Sequence, residues 1–280
     1  MFLLAAGVVL AQQFRSRGFR GDGRRGSEYE SVRTPREIGQ HGGFETPMWT
    51  NAPGFEKDVF TFVRIKRANG GLGGRGDWTT DTPDADLNFS YRLQQLTSIK
   101  VNPNGLFLRL TDKELFDYPS IYMVEPGSLY LDDAEIAALR KYLLNGGFLW
   151  LDDFWGENEW ANVEIIFKQV FPDRAFVELP LDHALYHCVF EIKSKGQVPN
   201  VYLGTQSEYT GVTWERPDAK EVHHREIRDD KGRMMVFATH NTDNGDGWEW
   251  EGKNHYYFEH FSEKISYPLA VNVIFYVMTH

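Results

Sequence analysis

The chain alternates apolar runs with amphipathic stretches, and the pattern is clearest over residues 118–155. An apolar run at 121–124 is followed by apolar residues at helical spacing, a double glycine and a second apolar run at 148–151. This order predicts a strand, a helix and a second strand parallel to the first. Asp152 and Asp153 then come at the carboxyl end of the second strand.

The helix of this unit carries signals at both ends. Asp132 and Glu135 are spaced as a capping box, and Gly146 suits the left-handed position that ends many helices. The short exit from the helix favours a right-handed crossover back to the same sheet. Because open α/β sheets bind ligands at the carboxyl ends of their strands, the unit predicts a functional edge at Asp152 and Asp153.

The remaining elements follow from the same two periodicities. In the first half they are a strand at 58–66, a helix at 87–96, a strand at 99–101, a helical turn at 111–116, a helix at 157–170 and a strand at 175–179. In the second half they are strand-like runs at 189–192 and 201–203, a hairpin at 226–238 and a terminal helix at 267–278. The predicted fold class is α/β, a mostly parallel sheet flanked by helices with an antiparallel β extension in the second half.

Composition narrows the possible functions. With 280 residues, of which 41% are hydrophobic, the chain has enough apolar side chains for a large core. The net charge of -10 argues against a nucleic-acid partner, since phosphate contacts require clustered lysine and arginine. Cys188 is the single cysteine, which excludes an internal disulfide.

The N-terminal part predicts export. Residues 1–11 resemble a signal peptide, because an apolar run ends at Ala11, directly before Gln12. We expect a periplasmic or extracellular protein, or a membrane-anchored one if this segment is not cleaved. Residues 12–56 are expected to be a disordered linker and residues 57–280 a single domain. The arginines of the linker fit either a solvated tether or peripheral contact with an anionic membrane.

Several segments resemble a known family. The strand FTFVRIK and the segments YPSIYM, LRKYLLNGGFLWLDD and NVIFYVMTH are similar to the bacterial family called domain of unknown function 4159, over about residues 59–280. That family is similar in fold to the class I glutamine amidotransferases, which implies a flavodoxin-like sheet flanked by helices. Its members are typically bacterial and often exported or membrane-associated. The resemblance implies no established activity.

Glutamine hydrolysis is not expected, because the residues for it are missing. The amidotransferase relatives need a nucleophilic cysteine on a sharp turn after a strand. The corresponding turn here holds Asp152 and Asp153, whereas Cys188 lies in an alternating run without flanking glycines and suits the core. Whether the protein is an enzyme stays open, with a non-catalytic role favoured and the catalytic residues unknown.

The ligand-binding candidates are Asp152, Asp153, His183, Asp243, Asp246 and Trp248. Asp152 and Asp153 either bind a ligand or only cap the following helix. His183 and His187 are four residues apart, which fits a weak zinc motif or a histidine that orders a loop beside Asp152.

The segment NTDNGDGWEW allows two interpretations. Asp243 and Asp246 offer oxygen ligands for calcium, although the spacing is not that of an EF-hand. Alternatively the segment is a wide turn with its two tryptophans packed over the sheet end. If Trp248 and Trp250 are exposed, they offer rings that stack on a sugar or clamp a partner.

These features favour an exported, non-catalytic α/β domain that binds an unknown protein or a small polar ligand in the cell envelope. The alternative is a hydrolase or isomerase that acts on a small polar or carbohydrate substrate through carboxylate and histidine groups at the sheet edge. We expect no cofactor, no metal ligand set and no nucleic acid. Asp152 or Asp153 is expected to lie near Asp243 and His183, because loops gather at the carboxyl ends of the strands.

Overall fold

In the part of the chain that the structure describes, seven strands form one sheet in the order β2-β1-β3-β4-β7-β6-β5. The computed structural model describes residues 29–39, 46–54, 58–67 and 78–280. The strands are β1 (Val63–Lys66), β2 (Leu106–Arg109), β3 (Ser120–Val124), β4 (Phe148–Asp152), β5 (Val177–Glu178), β6 (His223–Arg228) and β7 (Met234–His240). The pairs among β2, β1, β3, β4 and β7 are parallel, whereas β6 is antiparallel to both β7 and β5. The predicted mostly parallel α/β sheet with an antiparallel extension is therefore confirmed.

Helices cover both faces of this sheet. They are α1 (Pro35–Ile38), α2 (Asp84–Leu96), α3 (Asp133–Leu144), α4 (Gly156–Val170), α5 (Val201–Thr210), α6 (Asn244–Glu249), α7 (His255–Tyr257) and α8 (Tyr267–Thr279), with a π-helical stretch, Phe258–Ser266, between the last two. Short 3-10 turns occupy Lys113–Asp117, Pro126–Ser128 and Ala184–Tyr186. Helices α3 and α4 pack on one face of the sheet, and α2 and α8 pack on the other.

The unit from β3 to β4 forms as its sequence predicts. Asp132 Oδ1 accepts a hydrogen bond from Glu135 N at 2.8 Å, and Asp132 N donates to Glu135 Oε2 at 3.0 Å. This capping box satisfies backbone donors that would otherwise lack partners in the first turn. Ile121 then faces α3 and α4, whereas its neighbour Tyr122 faces α2 and α8, as the alternation along a strand requires.

Two stretches of the predicted linker contact the domain. Phe107 N of β2 donates to Arg33 O at 2.8 Å, and Trp49 Nε1 donates to Val101 O at 2.9 Å. Arg36 also binds the carbonyl oxygens of Pro103 and Thr46. Residues 29–39 and 46–54 are therefore held against the sheet, unlike the expected tether.

Three predicted strands differ in the structure. The run at 99–101 contributes only an isolated bridge between Val101 and Phe60, and β2 is the strand that follows α2. The run at 189–192 is irregular, and the run at 201–203 begins helix α5. Asn200 caps that helix by accepting from Leu203 N, so a capping residue outweighs the β-branched valine at its start.

The predicted signal peptide, residues 1–11, lies outside the described residues. In the part of the chain that the structure describes, no helix is long and apolar enough to cross a membrane.

Candidate metal centre

Four neighbouring parallel strands, β1, β3, β4 and β7, bring their following loops to one edge of the sheet. Asp81 follows β1, Asp153 follows β4 and Asp243 follows β7. Strand β2 lies on one side of β1 and the next strand in sequence, β3, lies on the other. The connections therefore diverge at β1 and β3, which is the position where open α/β sheets bind ligands.

The backbone of these loops is strained. The non-glycine residues with positive φ in the described chain are Asp81 at 63°, Glu125 at 48°, Asp153 at 57° and Asn241 at 64°, and each follows a different one of these four strands. Aspartate and asparagine tolerate this left-handed conformation better than most residues, yet it still costs about 1–3 kcal/mol at a non-glycine position. Strain of this kind gathers where side chains must be held in a defined place for function.

Three carboxylates meet at this edge. Asp81, Asp153 and Asp243, named here the carboxylate trio, each offer one oxygen, and these oxygens lie within 4.8 Å of one another. Asp153 is 8% exposed and Asp243 is 4% exposed. Asp153 accepts from Trp155 Nε1 at 2.9 Å and Asp243 from Asp246 N at 2.7 Å, whereas the buried Oδ2 atom of Asp81 accepts no hydrogen bond.

Burial and mutual repulsion disfavour three negative charges in this place. Burial raises the pKa of Asp81, Asp153 and Asp243 well above the ordinary aspartate value. Neighbouring carboxylates raise the pKa of each further, with Glu249 acting on Asp81, Glu125 on Asp153, and Asp153 on Asp243. The trio must therefore take up protons or a cation to be stable in the folded protein.

A buried arginine fixes the loop that carries Asp81. Arg64 of β1 is fully buried and binds Asp86 through Nε and Nη2, at 2.9 Å and 2.7 Å. Its Nη1 atom donates to the carbonyl oxygens of Trp78 and Thr80. The guanidinium group lowers the pKa of Asp81, but this effect is smaller than those of burial and Glu249. Arg64 therefore holds the Asp81 loop while its own charge is directed to Asp86.

Asp152 differs from its neighbour, because it is enclosed by donors. Its Oδ2 accepts from Tyr122 Oη, Asn244 N and Gly245 N at 2.9, 3.0 and 3.2 Å. Its Oδ1 accepts from Thr239 Oγ1 and Asn244 Nδ2. Burial raises the pKa of Asp152, whereas the hydrogen bonds lower it. We call these donors the Asp152 cage, which ties β3, β4, β7 and α6 together.

A second acidic group shares Asp81. Asp246 and Glu249 of α6 each offer one carboxylate oxygen, and so does Asp81. These three oxygens lie within 4.8 Å of one another. Asp246 Oδ2 accepts from Val201 N at 2.7 Å, and its Oδ1 accepts from Trp250 Nε1 at 3.2 Å. Burial is the largest cause that raises the pKa of both carboxyl groups.

The chain was compared with known proteins. The family model described as domain of unknown function (DUF4159) matches residues 61–278, which include every strand of the sheet and all five acidic residues of the two groups. The chain belongs to the DUF4159 family. No curated protein matches it.

Trp248 lies in the core of the DUF4159 domain, so of the two alternatives for this residue the packed ring is confirmed and the exposed, ligand-stacking ring is wrong. The side chain is 0% exposed and stacks on Phe89 of α2, with ring centroids 4.8 Å apart. The segment is not a wide turn but the short helix α6, capped by Asp243, and that helix carries Trp248 inward against the sheet. Trp250 stays partly exposed, with Lys253 over its ring at 4.0 Å.

His183 is not at the acidic edge. Its ring lies 5.2 Å from that of Tyr276, and the charged groups acting on it include Glu226 and Arg228 of β6. Arg228 pairs with Met234 at the amino end of β7, whereas Asp243 follows the carboxyl end of that strand. The expected meeting of His183 with Asp152 and Asp153 is therefore wrong. The loop turns away because Leu179 N binds His224 O and continues the antiparallel side of the sheet.

The single thiol contacts residues outside the trio. Cys188 Sγ is directed to the carbonyl oxygens of Leu185 and Asn272, and burial raises the pKa of the thiol. A raised pKa keeps the thiol protonated and weakens it as a nucleophile.

Asp81 and Glu249 are site residues that were not predicted from the sequence. Asp81 lies in the aspartate-rich run DTPDAD, and this concentration of aspartates is the sequence feature that could have indicated a site. Its significance depends on the strand order, which places the loop after β1 next to those after β4 and β7. Glu249 is three residues after Asp246, and this spacing becomes meaningful only once the segment is known to be helical.

A wide cleft of about 880 Å³ lies beside β5 and β6, and none of the trio residues is in its lining. Glu178 in its lining is paired with Lys195, His223 and Arg225. Opposite charges therefore meet in this cleft, whereas carboxylates gather at the acidic edge.

Proposed function

We propose that this DUF4159 domain binds a hard divalent cation through Asp81, Asp153 and Asp243 and uses it to hold a polar, oxygen-rich ligand. The observation that carries the proposal is the carboxylate trio, in which two buried acids and the half-buried Asp81, from three loops, approach within 4.8 Å. Calcium, magnesium and manganese prefer carboxylate and carbonyl oxygens of this kind.

A cation fits better than a set of shared protons. Two other buried acids have ordinary partners, since Asp86 is paired with Arg64 and Asp152 is enclosed by its cage. The acidic edge instead has a surplus of acceptors, since Asp81 Oδ2 and Asn244 Oδ1 are buried and bind no donor. Asn244 is 0% exposed and directly follows Asp243. A bound cation supplies the positive charge that this arrangement lacks.

We also propose that the protein acts outside the cytoplasm, in the cell envelope. The support is the apolar run of residues 1–11 and its junction with Gln12. A relationship to the amidotransferase-like proteins is likewise proposed, on the basis of the parallel α/β sheet. If export is correct, protein recovered from a bacterial host begins at Gln12 by mass spectrometry. A soluble cytoplasmic product that keeps Met1 contradicts it.

The alternative function is hydrolysis or isomerisation of a polar or carbohydrate substrate at the same edge. It now depends on the carboxylates alone, because His183 is not among them. A cation held by the trio would then polarise a substrate oxygen. Binding without turnover favours the non-catalytic function, and cation-dependent turnover favours the alternative.

Calorimetry on the full chain tests cation binding. After removal of metals with EDTA, the protein is titrated separately with calcium, magnesium and manganese chloride, and its Tm is measured with and without each. We expect saturable binding of at least one ion, because a ligand at 100 times its Kd stabilises the folded state by about 2.7 kcal/mol.

Matched variants identify the ligands. Asp153→Asn and Asp243→Asn keep the side-chain size and should each lower the affinity at least tenfold. Asp230→Asn is the control, because Asp230 is an exposed acid that pairs only with Arg174 among the ion pairs described. If none of the three ions binds or raises the Tm, or if the control loses as much affinity as the trio variants, the proposal fails.

A further inference from the structure

We propose that the acidic edge holds two divalent cations and that the Asp81 carboxylate bridges them. This inference rests on the proposed function and adds a second cation site made by Asp81, Asp246 and Glu249. The oxygens of these three residues lie within 4.8 Å of one another, as do those of Asp81, Asp153 and Asp243. Asp81 is the residue common to both groups.

Helix α6 connects the two groups. Asp243 caps this helix, and Asp246 and Glu249 lie three residues apart on one of its faces. A β-carbon at Gly245 would collide with Oδ2 of Asp81. The Asp81 carboxylate therefore lies against the backbone between Asp243 and Asp246, where one oxygen can face each group.

Unpartnered acceptors at this contact point to a missing ligand. Oδ2 of Asp81 is sealed from solvent and accepts no hydrogen bond. Oδ1 of Asn244 has no donor either, although Asn244 is 0% exposed and its amide nitrogen binds Asp152 at 2.8 Å. A buried acceptor normally has a donor or a cation as its partner, and these two oxygens have no hydrogen-bond donor among the described residues.

The positions of Asp246 and Glu249 leave them able to bind a cation. Asp246 accepts hydrogen bonds from Val201 N and Trp250 Nε1 and shares a further one with Glu249, so the two carboxyl groups are held facing each other, where a cation can replace the shared proton. Glu249 is partly exposed, which provides a path from solvent.

The total charge also favours two ions. The two groups hold five carboxylates, and Arg64 is engaged with Asp86. A single divalent ion would leave most of that charge unbalanced in a buried place. Carboxylate-bridged pairs of cations about 3.5–4 Å apart are a known arrangement in proteins.

Manganese provides a direct test, since two Mn²⁺ ions bridged by a carboxylate couple magnetically and lose the six-line spectrum of an isolated ion. The full chain, freed of metals, is titrated with MnCl₂ and followed by electron paramagnetic resonance and by equilibrium dialysis. We expect two ions per chain and an exchange-coupled spectrum at saturation.

Variants separate the two sites. Glu249→Gln should lose the ion of the second site and retain the ion of the trio, with an uncoupled spectrum. Asp243→Asn should lose the ion of the trio and retain the other, also with an uncoupled spectrum. Asp81→Asn should lose the coupling altogether. Glu263→Gln is the control, because Glu263 is exposed on the π-helical stretch and should leave both ions and the coupling unchanged. Thermal melting of each variant shows that it is folded, and Glu249→Asp replaces Glu249→Gln if the latter is not.

The outcomes distinguish this inference from the proposed function. One ion per chain, with Glu249→Gln unchanged, overturns the second site and leaves the proposed function standing. Two ions without coupling overturn the bridging role of Asp81. No bound manganese, calcium or magnesium overturns both.

Discussion

Asp152 and Asp153 are adjacent in the chain and both buried, but only Asp152 is surrounded by donors. Five hydrogen bonds reach the carboxylate of Asp152, whereas Asp153 receives one from Trp155 and lies beside Asp81 and Asp243. A left-handed φ of 57° at Asp153 turns the backbone between them, so the two carboxylates serve different surroundings.

The difference separates an acid that holds the fold together from acids that are available to a ligand. The Asp152 cage compensates its charge within the protein. The trio has no such compensation, and its repulsion is a standing cost to the cation-free fold. We therefore expect the same substitution, aspartate to asparagine, to have opposite effects on stability in these two regions.

The largest effect should come from converting a compensated acid into an uncompensated one. Arg64→Met leaves Asp86 buried without its partner and should destabilise the protein by about 3–5 kcal/mol. Urea unfolding measures the loss. The double variant Arg64→Met with Asp86→Leu should recover part of it, because it removes the orphan charge. A double variant as unstable as the single one would show that Arg64 acts only through the loop carbonyls.

Asp152→Asn should destabilise the protein by about 2 kcal/mol or more, because an amide nitrogen then faces donors that require an acceptor. Urea unfolding in EDTA gives the value free of any cation effect. Asp230→Asn serves as the control on an exposed acid. A change below the level of that control would mean that the cage is not a stabilising feature.

Asp153→Asn should have the opposite sign in EDTA and stabilise the cation-free protein by about 1 kcal/mol, since it removes a charge with a raised pKa. Asparagine also tolerates the left-handed backbone at this position. With saturating cation the variant should instead melt below the native protein, because it has lost a ligand. Equal losses for Asp152→Asn and Asp153→Asn in EDTA would remove the distinction between the two regions.

The smallest effect concerns a buried histidine away from the trio. Burial, with smaller effects of Lys195 and His223, lowers the pKa of His224 to about 3. The unfolded chain binds a proton near the ordinary histidine pKa of about 6.5 and the folded chain does not, so stability falls as the pH decreases. Between pH 7 and pH 6 the loss should be about 0.7 kcal/mol.

His224→Asn should remove this loss of stability between pH 7 and pH 6. The asparagine can keep a hydrogen bond to Tyr186, the partner of His224 Nδ1 at 2.8 Å. The measurements are made in saturating cation, which suppresses protonation of the carboxylates at the acidic edge. Their raised pKa values would otherwise make stability rise as the pH decreases, which is opposite to the effect of His224. An identical pH dependence in native protein and variant would show that His224 does not contribute.

Local signals predicted the part of the fold where they agree with one another. The unit from β3 to β4 has an apolar run, a capping box and a double glycine in register, and it forms as predicted. The hairpin of β6 and β7 is confirmed for the same reason. The terminal helix is also confirmed, although its apolar run left helix and strand open and only its length favoured a helix. The run at 201–203 had only apolar residues in its favour, and the cap at Asn200 makes it helical.

The site was harder to predict, because its geometry is set by non-local features. Asp153 was proposed from its place after a strand and Asp243 as an oxygen ligand in the segment NTDNGDGWEW, and the structure brings them together. Asp81 joins them only because β1 lies beside β3, a property of strand order that no single segment carries. For Trp248 the sequence left two alternatives open, a ring packed over the sheet end and an exposed ring, and the helical turn of α6 directs it inward.

The N-terminal contacts described above have a consequence for how the domain behaves in solution. β2 is an outer strand, and its Phe107 N donates a hydrogen bond to Arg33 O. Without this contact, that backbone donor would be open to another chain. The opposite outer strand, β5, has only two residues and offers little to pair with. Open strand edges promote self-association by strand addition. A fragment that begins at residue 58 would therefore expose β2 and should form concentration-dependent oligomers in sedimentation, whereas the chain that keeps residues 29–54 should not.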